Sequence, residues 1–444
     1  MNESALLLEG EVIDKGKGAA KKRTFPATAT FATHTMDPRR ISILDFTYSL
    51  PEDRIAQHPL SERDASRLLV YQEGKITDTS FQHLPDFLSP NDLLVFNDTR
   101  VIRARLLYRK PTGSRIELLV LDPANGIDPT QALQVTGTAE WLSLIGNAKR
   151  WKSEEPLVWE LQLAGRAIQL EAIKGDKQDD AYIVRFNWNS PETFGEILEA
   201  IGRMPLPPYM DRDEEPEDAE RYQTVYARLP GSVAAPTAGL HFTERVFSKL
   251  REQGIGVDWL TLHVGAGTFK PVKSPTMQEH PMHRERLIVR REMIERLLHA
   301  HESGRVIAVG TTSLRTLESL YWLGCRVLAG KPEAEVCIGQ WEPYESQNDV
   351  PVQDALTALL RRMDESNRTA ISGHTQLLIA PGYSFRVVDG LVTNFHQPES
   401  TLLLLVAAFI GSDWRTVYHH ALANGYRFLS YGDSSLLWRK HGAQ

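Results

Sequence analysis

Cysteine is almost missing from this chain: among 444 residues only Cys325 and Cys337 carry a thiol. Without a second pair they cannot complete a structural zinc site, and no disulfide framework is available. Two buried, reduced thiols are the plain expectation. Long apolar runs are missing as well. The most apolar stretch, Thr401–Ile410 (TLLLLVAAFI), is half the roughly 20 residues a membrane-spanning helix requires, so it is expected to be a core helix. The N-terminus places its apolar stretch ahead of its basic cluster, the reverse of a secretory signal. A cytoplasmic protein without a membrane partner is expected. The chain also has no GxGxxG loop followed by an acidic residue, which argues against a Rossmann-type dehydrogenase or methyltransferase.

Excess positive charge is absent too, since the net charge is -7. The acid is concentrated, however. Asp211–Glu220 (DRDEEPEDAE) holds seven acids and one arginine, and without it the chain stands near -1. Basic clusters remain at Arg100, Arg103, Arg105, Arg109 and Lys110, and at Lys149, Arg150 and Lys152. A third runs from Lys270 through Arg284, Arg286, Arg290 and Arg291. Affinity for a phosphate backbone follows the local field, so these clusters keep RNA binding open; solvated surface faces account for them equally well.

What is present reads as two kinds of texture. Residues 1–40 lack periodicity and are expected to form a flexible extension. Between about Ala104 and Trp188, six short runs alternate apolar and polar residues, from ARLLYRK to AYIVRFNW. That is the period of strands with one wet face, and it predicts an antiparallel six-stranded barrel inserted at 104–188. The flanking parts, 41–103 and 189–444, carry buried strand candidates such as SRLLVY, LLVF, GVDWLTLHVG, RVIAVG and TQLLIA. Helical stretches fall between them, including REMIERLLHAHESG and SLRTLESLYWLG. Such alternation predicts an α/β domain whose ligands sit beyond the carboxyl ends of its strands.

Polar residues gather where strands end. VIAVGTTS runs into a helix bearing Arg315. The junction can hold a carboxylate or phosphate on free backbone N–H groups, or its hydroxyls can simply cap the helix. TLHVGAGTF carries His263, and SVAAPTAGLHFT packs small residues and His241 ahead of a helix. In the latter, close backbone approach to a ligand and a tight turn capped by Thr243 are equal alternatives. His280, His283 and Glu285 lie close together but lack helical zinc spacing, so acid–base work suits them better than metal. YSFRVVDGLVTNFH and YGD place Tyr383, Asn394, His396 and Asp433 at turns beside apolar runs.

Six long stretches together resemble the S-adenosylmethionine:tRNA ribosyltransferase-isomerase family of queuosine biosynthesis. They include IAQHPLSERDASRLLV, LLVFNDTRVIRARL, and MPLPPYM with RYQTVYARLPGSVAAPTAGLHFT. TLHVGAGTFKPV with HPMHRE, RVIAVGTTSLRTLES, and IAPGYSFRVVDGLVTNFHQPESTLLLLVAAF with YRFLSYGD complete them. The resemblance runs in order from about Ile41 to Leu437. It implies an α/β catalytic domain with an inserted six-stranded barrel. It also implies that S-adenosylmethionine is consumed as a ribosyl donor, a co-substrate, with no further cofactor and no metal. The implied acceptor is 7-aminomethyl-7-deazaguanine at the wobble position of tRNA, and the products are epoxyqueuosine-tRNA, adenine and methionine. A monomer is expected.

That chemistry needs a base to take a proton from the ribose carbon next to the sulfonium, and a donor to protonate the departing adenine. By residue type and motif position the candidates are His241, His263, His283, Glu285, His396 and Asp433. Arg100, Thr311, Ser313, Arg315, Tyr383 and Asn394 are the candidates for binding substrate. Arg315→Ala is expected to impair turnover more than folding. The sequence departs from the family pattern at Arg103, Gln397, Ser434 and Ser435, and in MHRE. A paralogue with another RNA or base acceptor therefore stays open, as does an RNA-binding module without turnover.

Overall fold

The computed structural model of the protein describes residues 37–152, 155–265, 267, 272, 274–330, 336–345 and 349–440. The expected extension falls outside the described residues up to position 36, as does Lys270 of the third basic cluster. Residues 38–40 form a single 3-10 turn, and Arg39 pairs with Glu345.

Eighteen strands are present among the described residues. The chain opens with β1 (Arg67–Gln72), β2 (Lys75–Ser80), β3 (Leu93–Asn97) and the short β4 (Thr99–Val101). Then come β5 (Arg105–Arg109), β6 (Arg115–Pro123), β7 (Thr138–Gly146), β8 (Leu157–Leu163), β9 (Arg166–Gln178) and β10 (Ala181–Trp188). The rest are β11 (Leu229–Ser232), β12 (Gly256–His263), β13 (Glu285–Arg290), β14 (Val306–Val309), β15 (Cys337–Ile338), β16 (Ala370–Thr375), β17 (Gly390–Asn394) and β18 (Ser434–Trp438).

Strands β5–β10 form one antiparallel sheet in the order β5-β6-β7-β10-β9-β8, each matching one of the six alternating runs. The sheet curls until its two edges nearly meet. Across the seam, Trp159 Nε1 of β8 donates to the Leu107 carbonyl of β5 at 3.1 Å, and its ring meets Tyr108 edge-on. Trp141 and Trp151 are 0% and 1% exposed, so they serve the barrel core and offer no face for base stacking. The helix Phe194–Ile201 follows, started by a capping box between Thr193 and Glu196. Its Phe194 packs against Trp141, Phe186 and Trp188.

The other main sheet has ten strands in the order β15-β16-β13-β12-β3-β14-β17-β18-β1-β2. Its central strands are buried on both faces, and their residues alternate between two cores. Leu93, Val95, Val306 and Ala308 face the helices Thr311–Leu328 and Thr401–Ile410. Leu94, Phe96, Ile307 and Val309 face Phe81 and the helix Glu244–Glu252. The molecule is therefore an α/β domain with a barrel set into it, as the alternation of patterns predicts. Thr401–Ile410 is the expected core helix. With the helix that follows, 401–423 is apolar and long enough to pass for a span, yet more than half of its most apolar stretch is buried inside the molecule.

TQLLIA does not form the strand expected of it. β16 ends at Thr375, and Leu377–Ala380 crosses the core as irregular chain. Its burial comes from packing; no strand pairs with it, and its carbonyls bond side chains instead, Leu377 O taking Arg315 Nε and Leu378 O taking Tyr344.

Candidate active site

The ten-stranded sheet collects the motif ends along one edge. β12, β3, β14 and β17 run parallel and all end there, at His263, Asn97, Val309 and Asn394. Antiparallel β13 and β18 begin there, with Arg286 opposite His263 and Ser434 opposite Asn394. β1, parallel to β18, begins at the same edge. At the usual strand spacing the row from β13 to β1 spans roughly 29 Å. β4 leaves this edge and leads directly into the barrel, which is tied back by Arg286 Nε to Asp128 at 3.0 Å.

A first cavity, open to solvent, lies beside β13 and β14, lined by His283, Thr311, Thr312 and Arg315 against Leu377 and Leu405. Arg315 is fixed on two sides. Its Nε donates to Leu377 O at 3.1 Å, and its Nη1 is paired with the buried Glu285 carboxylate. Its Nη2 is buried and has no partner. Burial pushes the Glu285 carboxyl up, but the Arg315 charge and then His283 outweigh it and hold the group at about 2. His283 Nε2 lies 3.4 Å from Glu285 Oε1. Because Arg315 neutralises a buried carboxylate, its truncation carries a folding cost that its sequence position does not reveal.

The open question at VIAVGTTS has a structural answer. Gly310, at φ 91°, is the N-cap residue and makes no side-chain cap. Ser313 Oγ donates to Val309 O at 2.8 Å, and Thr312 Oγ1 accepts from Asn97 at 3.3 Å. Thr311 lines the cavity. At SVAAPTAGLHFT the capped turn is what forms: Thr243 caps the helix Glu244–Glu252, while His241 lines a cavity.

That second cavity opens to solvent where β1 and β18 begin, and includes Arg63, Ser66, Arg221, His241, Arg427 and Tyr431. Asn394 Nδ2 lies 3.2 Å from His241 Nε2, and Ser66 Oγ lies 2.8 Å from His241 Nδ1. Asn394 Nδ2 also donates to Leu429 O, so the amide serves as donor and the imidazole as its acceptor. Asp433 spends its two oxygens on the backbone N–H groups of Arg67 and Arg427, which fixes the YGD loop.

His263 stands one strand from Glu285, with Nδ1 3.0 Å from Thr99 Oγ1 and a buried Nε2 that has no partner. His396 Nε2 contacts Thr393 Oγ1 at 2.9 Å. Tyr383 donates to Glu318 at 2.9 Å, and Arg100 is exposed on β4; these two residues and His396 line neither cavity. Among the described residues no group of three His, Cys, Asp or Glu could hold a metal ion. Sequence reasoning passed over Arg63, Ser66, Arg221 and Arg427, although all four lie in motifs that carry the family resemblance.

Burial pulls His241 down to about 3 and His263 to about 4, with the Arg427 charge adding to the first. Both are neutral in the fold, whereas an unfolded histidine takes its proton near pH 6.5. The unfolded chain then binds more protons, so their contribution is complete above pH 6.5 and is lost as the pH falls toward the folded values. Each should cost about 2 kcal/mol between pH 6.5 and 5. Urea unfolding at the two pH values should give a clearly lower midpoint at pH 5, and equal midpoints would contradict the burial of neutral imidazoles.

The departures from the family pattern have local partners. Arg103 pairs with Glu199 at 3.2 Å, and Gln397 offers its carbonyl to Ser400. Ser434 and Ser435 both donate to Thr393 O, at 3.3 and 3.0 Å, and so stitch β18 to β17. Arg284 of MHRE meets His374 at 2.9 Å.

Neutral histidines, a buried Glu–Arg pair and unpartnered donors along the carboxyl edge of an α/β sheet define an enzyme. The chain belongs to the queuosine biosynthesis protein family, whose family model matches residues 43–437. It is 42% identical to the S-adenosylmethionine:tRNA ribosyltransferase-isomerase of Azoarcus sp. (strain BH72) over 405 residues, covering 91% of this chain and 99% of that protein. A protein of the same name from Legionella pneumophila (strain Lens) is 41% identical over 397 residues, covering 88% and 98%. A crystal structure of S-adenosylmethionine tRNA ribosyltransferase from Thermotoga maritima is 29% identical, covers 88% of this chain and 99% of its own, and superposes with a TM-score of 0.42.

Proposed function

We propose that this chain transfers and isomerises the ribosyl moiety of S-adenosylmethionine onto 7-aminomethyl-7-deazaguanine at the tRNA wobble position. The products would be epoxyqueuosine-tRNA, adenine and methionine. The observation that carries this reading is the free Arg315 Nη2 beside the first cavity, a buried cationic donor whose other nitrogens are already fixed. Such a group suits the carboxylate of the methionine portion, and the flanking leucines suit an apolar ring.

His283, set against the Glu285 carboxylate, is our base for the proton on the carbon beside the sulfonium. Adenine then leaves and needs a proton. The acceptor amine bonds to the ribose carbon that adenine left and gives up a proton. The deprotonated carbon replaces the ring oxygen there, and the freed oxygen closes an epoxide as the C–S bond breaks and methionine departs. We assign the second proton transfer to His263, one strand away with its Nε2 unpartnered. The donor is consumed, so no resident cofactor enters the scheme, and we place the enzyme in the cytoplasm as a monomer.

The test is chromatographic measurement of adenine and methionine released from S-adenosylmethionine. Release should require tRNA carrying the aminomethyl-deazaguanine and be absent with tRNA carrying guanine. S-adenosylhomocysteine as product, or no release from folded protein, would overturn the reading.

A further inference from the structure

The second cavity has a charge imbalance that the first does not. Three guanidiniums, Arg63, Arg221 and Arg427, line it, and no carboxylate does among the described residues. Elsewhere several of the cations picked out by sequence are neutralised: Arg105 by Glu117 at 2.6 Å, Lys110 by Glu155 at 2.7 Å, Arg286 by Asp128 at 3.0 Å and Arg291 by Asp364 at 2.6 Å.

The three arginines are held instead by backbone carbonyls. Arg63 donates to Gln223 O, Leu240 O and Glu220 O, and Arg221 to Ser61 O and Leu60 O. Arg427 reaches His58 O at 3.4 Å, and its nearest carboxylate, Asp433, lies 3.7 Å off with both oxygens already committed to backbone N–H groups. Carbonyls orient a guanidinium without cancelling its charge. Arg221 Nε remains buried with no partner. Burial and then the neighbouring Arg221 charge pull the Arg63 guanidinium down, the expected response of a cation gathered with its like.

We propose that the Arg63–Arg221–Arg427 cavity is an anion site that takes a phosphate of the RNA chain near the acceptor nucleotide. The inference deepens the RNA-modifying reading above and rests on it. The cavity opens on the same sheet edge as the donor cavity but at the β18–β1 end, where a chain lying along the edge would pass. A single donor molecule already has its cation in Arg315. Forked guanidiniums match the oxygens of a phosphodiester.

The test uses full-length protein and variants Arg427→Gln and Arg427→Lys, because Arg427 has the weakest internal bonds of the three. Binding of an anticodon stem-loop RNA is followed by fluorescence anisotropy across a salt series, and the KM for S-adenosylmethionine is measured in parallel. Arg427→Gln should weaken RNA binding roughly 5- to 20-fold and lower the slope of log K against log salt by about 0.7–1. Arg427→Lys should keep most of that slope, the KM for the donor should not move, and inorganic phosphate should compete less well against RNA on Arg427→Gln than on the wild type. A raised donor KM with unchanged RNA binding would assign the cavity to the donor carboxylate and overturn the proposal. Unchanged RNA binding and unchanged KM in a folded variant would overturn it too. RNA binding is read without turnover, so failure of the ribosyl-transfer reading would appear separately, as a wild type that binds RNA with the full slope and releases no adenine.

Discussion

Arg315→Ala should cut turnover by roughly 100- to 1,000-fold and unfold the protein several degrees earlier. The guanidinium does two things at once. It neutralises Glu285, which is 2% exposed, and presents the unpartnered Nη2 beside the first cavity. Removing it leaves a buried carboxylate without its counter-charge, which costs about 3–5 kcal/mol. The expectation from sequence that turnover suffers more than folding therefore gives way to a loss of both. The two effects separate in the double variant Arg315→Met/Glu285→Leu, which removes both charges. Its Tm should recover most of the loss, since apolar replacements of a buried pair are often neutral, while turnover stays lost. A folded Arg315→Ala enzyme with normal turnover, or a double variant that regains it, would take Arg315 out of the site.

Glu318→Ala should lower Tm by roughly 5–10 °C, the largest purely structural effect expected. Glu318 is wholly buried in the helix Thr311–Leu328 and accepts from Arg386 N, Val387 N, Val388 N and Tyr383 Oη at 2.9–3.1 Å. Those bonds hold the turn that delivers β17, and with it Asn394, to the reactive edge. Without the carboxylate, three backbone donors and one hydroxyl lose their acceptor, each worth about 1–3 kcal/mol when left unsatisfied. Tyr383, a sequence candidate for substrate binding, belongs to this clasp, and Trp322 Nε1 donates to its hydroxyl at 2.9 Å. Calorimetry decides: an unchanged Tm in Glu318→Ala would mean that water or a shifted backbone satisfies the turn.

The barrel was legible in the sequence because its strands each keep one wet face, and the alternation between Arg105 and Trp188 slips chiefly where β6 and β10 shift register. The central sheet was less legible. β17 and β18 are buried at every position, so neither shows a period, and they pair across some forty residues. TQLLIA fails for the converse reason, being apolar and buried yet unpaired. The candidate residues were visible as separate clusters at strand ends. Their assembly was not, because it depends on strand order: Arg67 N bonds Asp433 across 366 positions. Arg63, Arg221 and Arg427 look like ordinary surface arginines one at a time, and only their convergence on a carboxylate-free cavity sets them apart.

The most direct test of the central claim is the fate of a doubly labelled donor, tritiated in the ribose and carbon-14 labelled in the methyl group. Incubated with the enzyme and tRNA bearing 7-aminomethyl-7-deazaguanine, the ribose label should enter tRNA while the methyl label is recovered in free methionine. Methyl label in tRNA, or neither label there with a folded protein, would contradict ribosyl transfer.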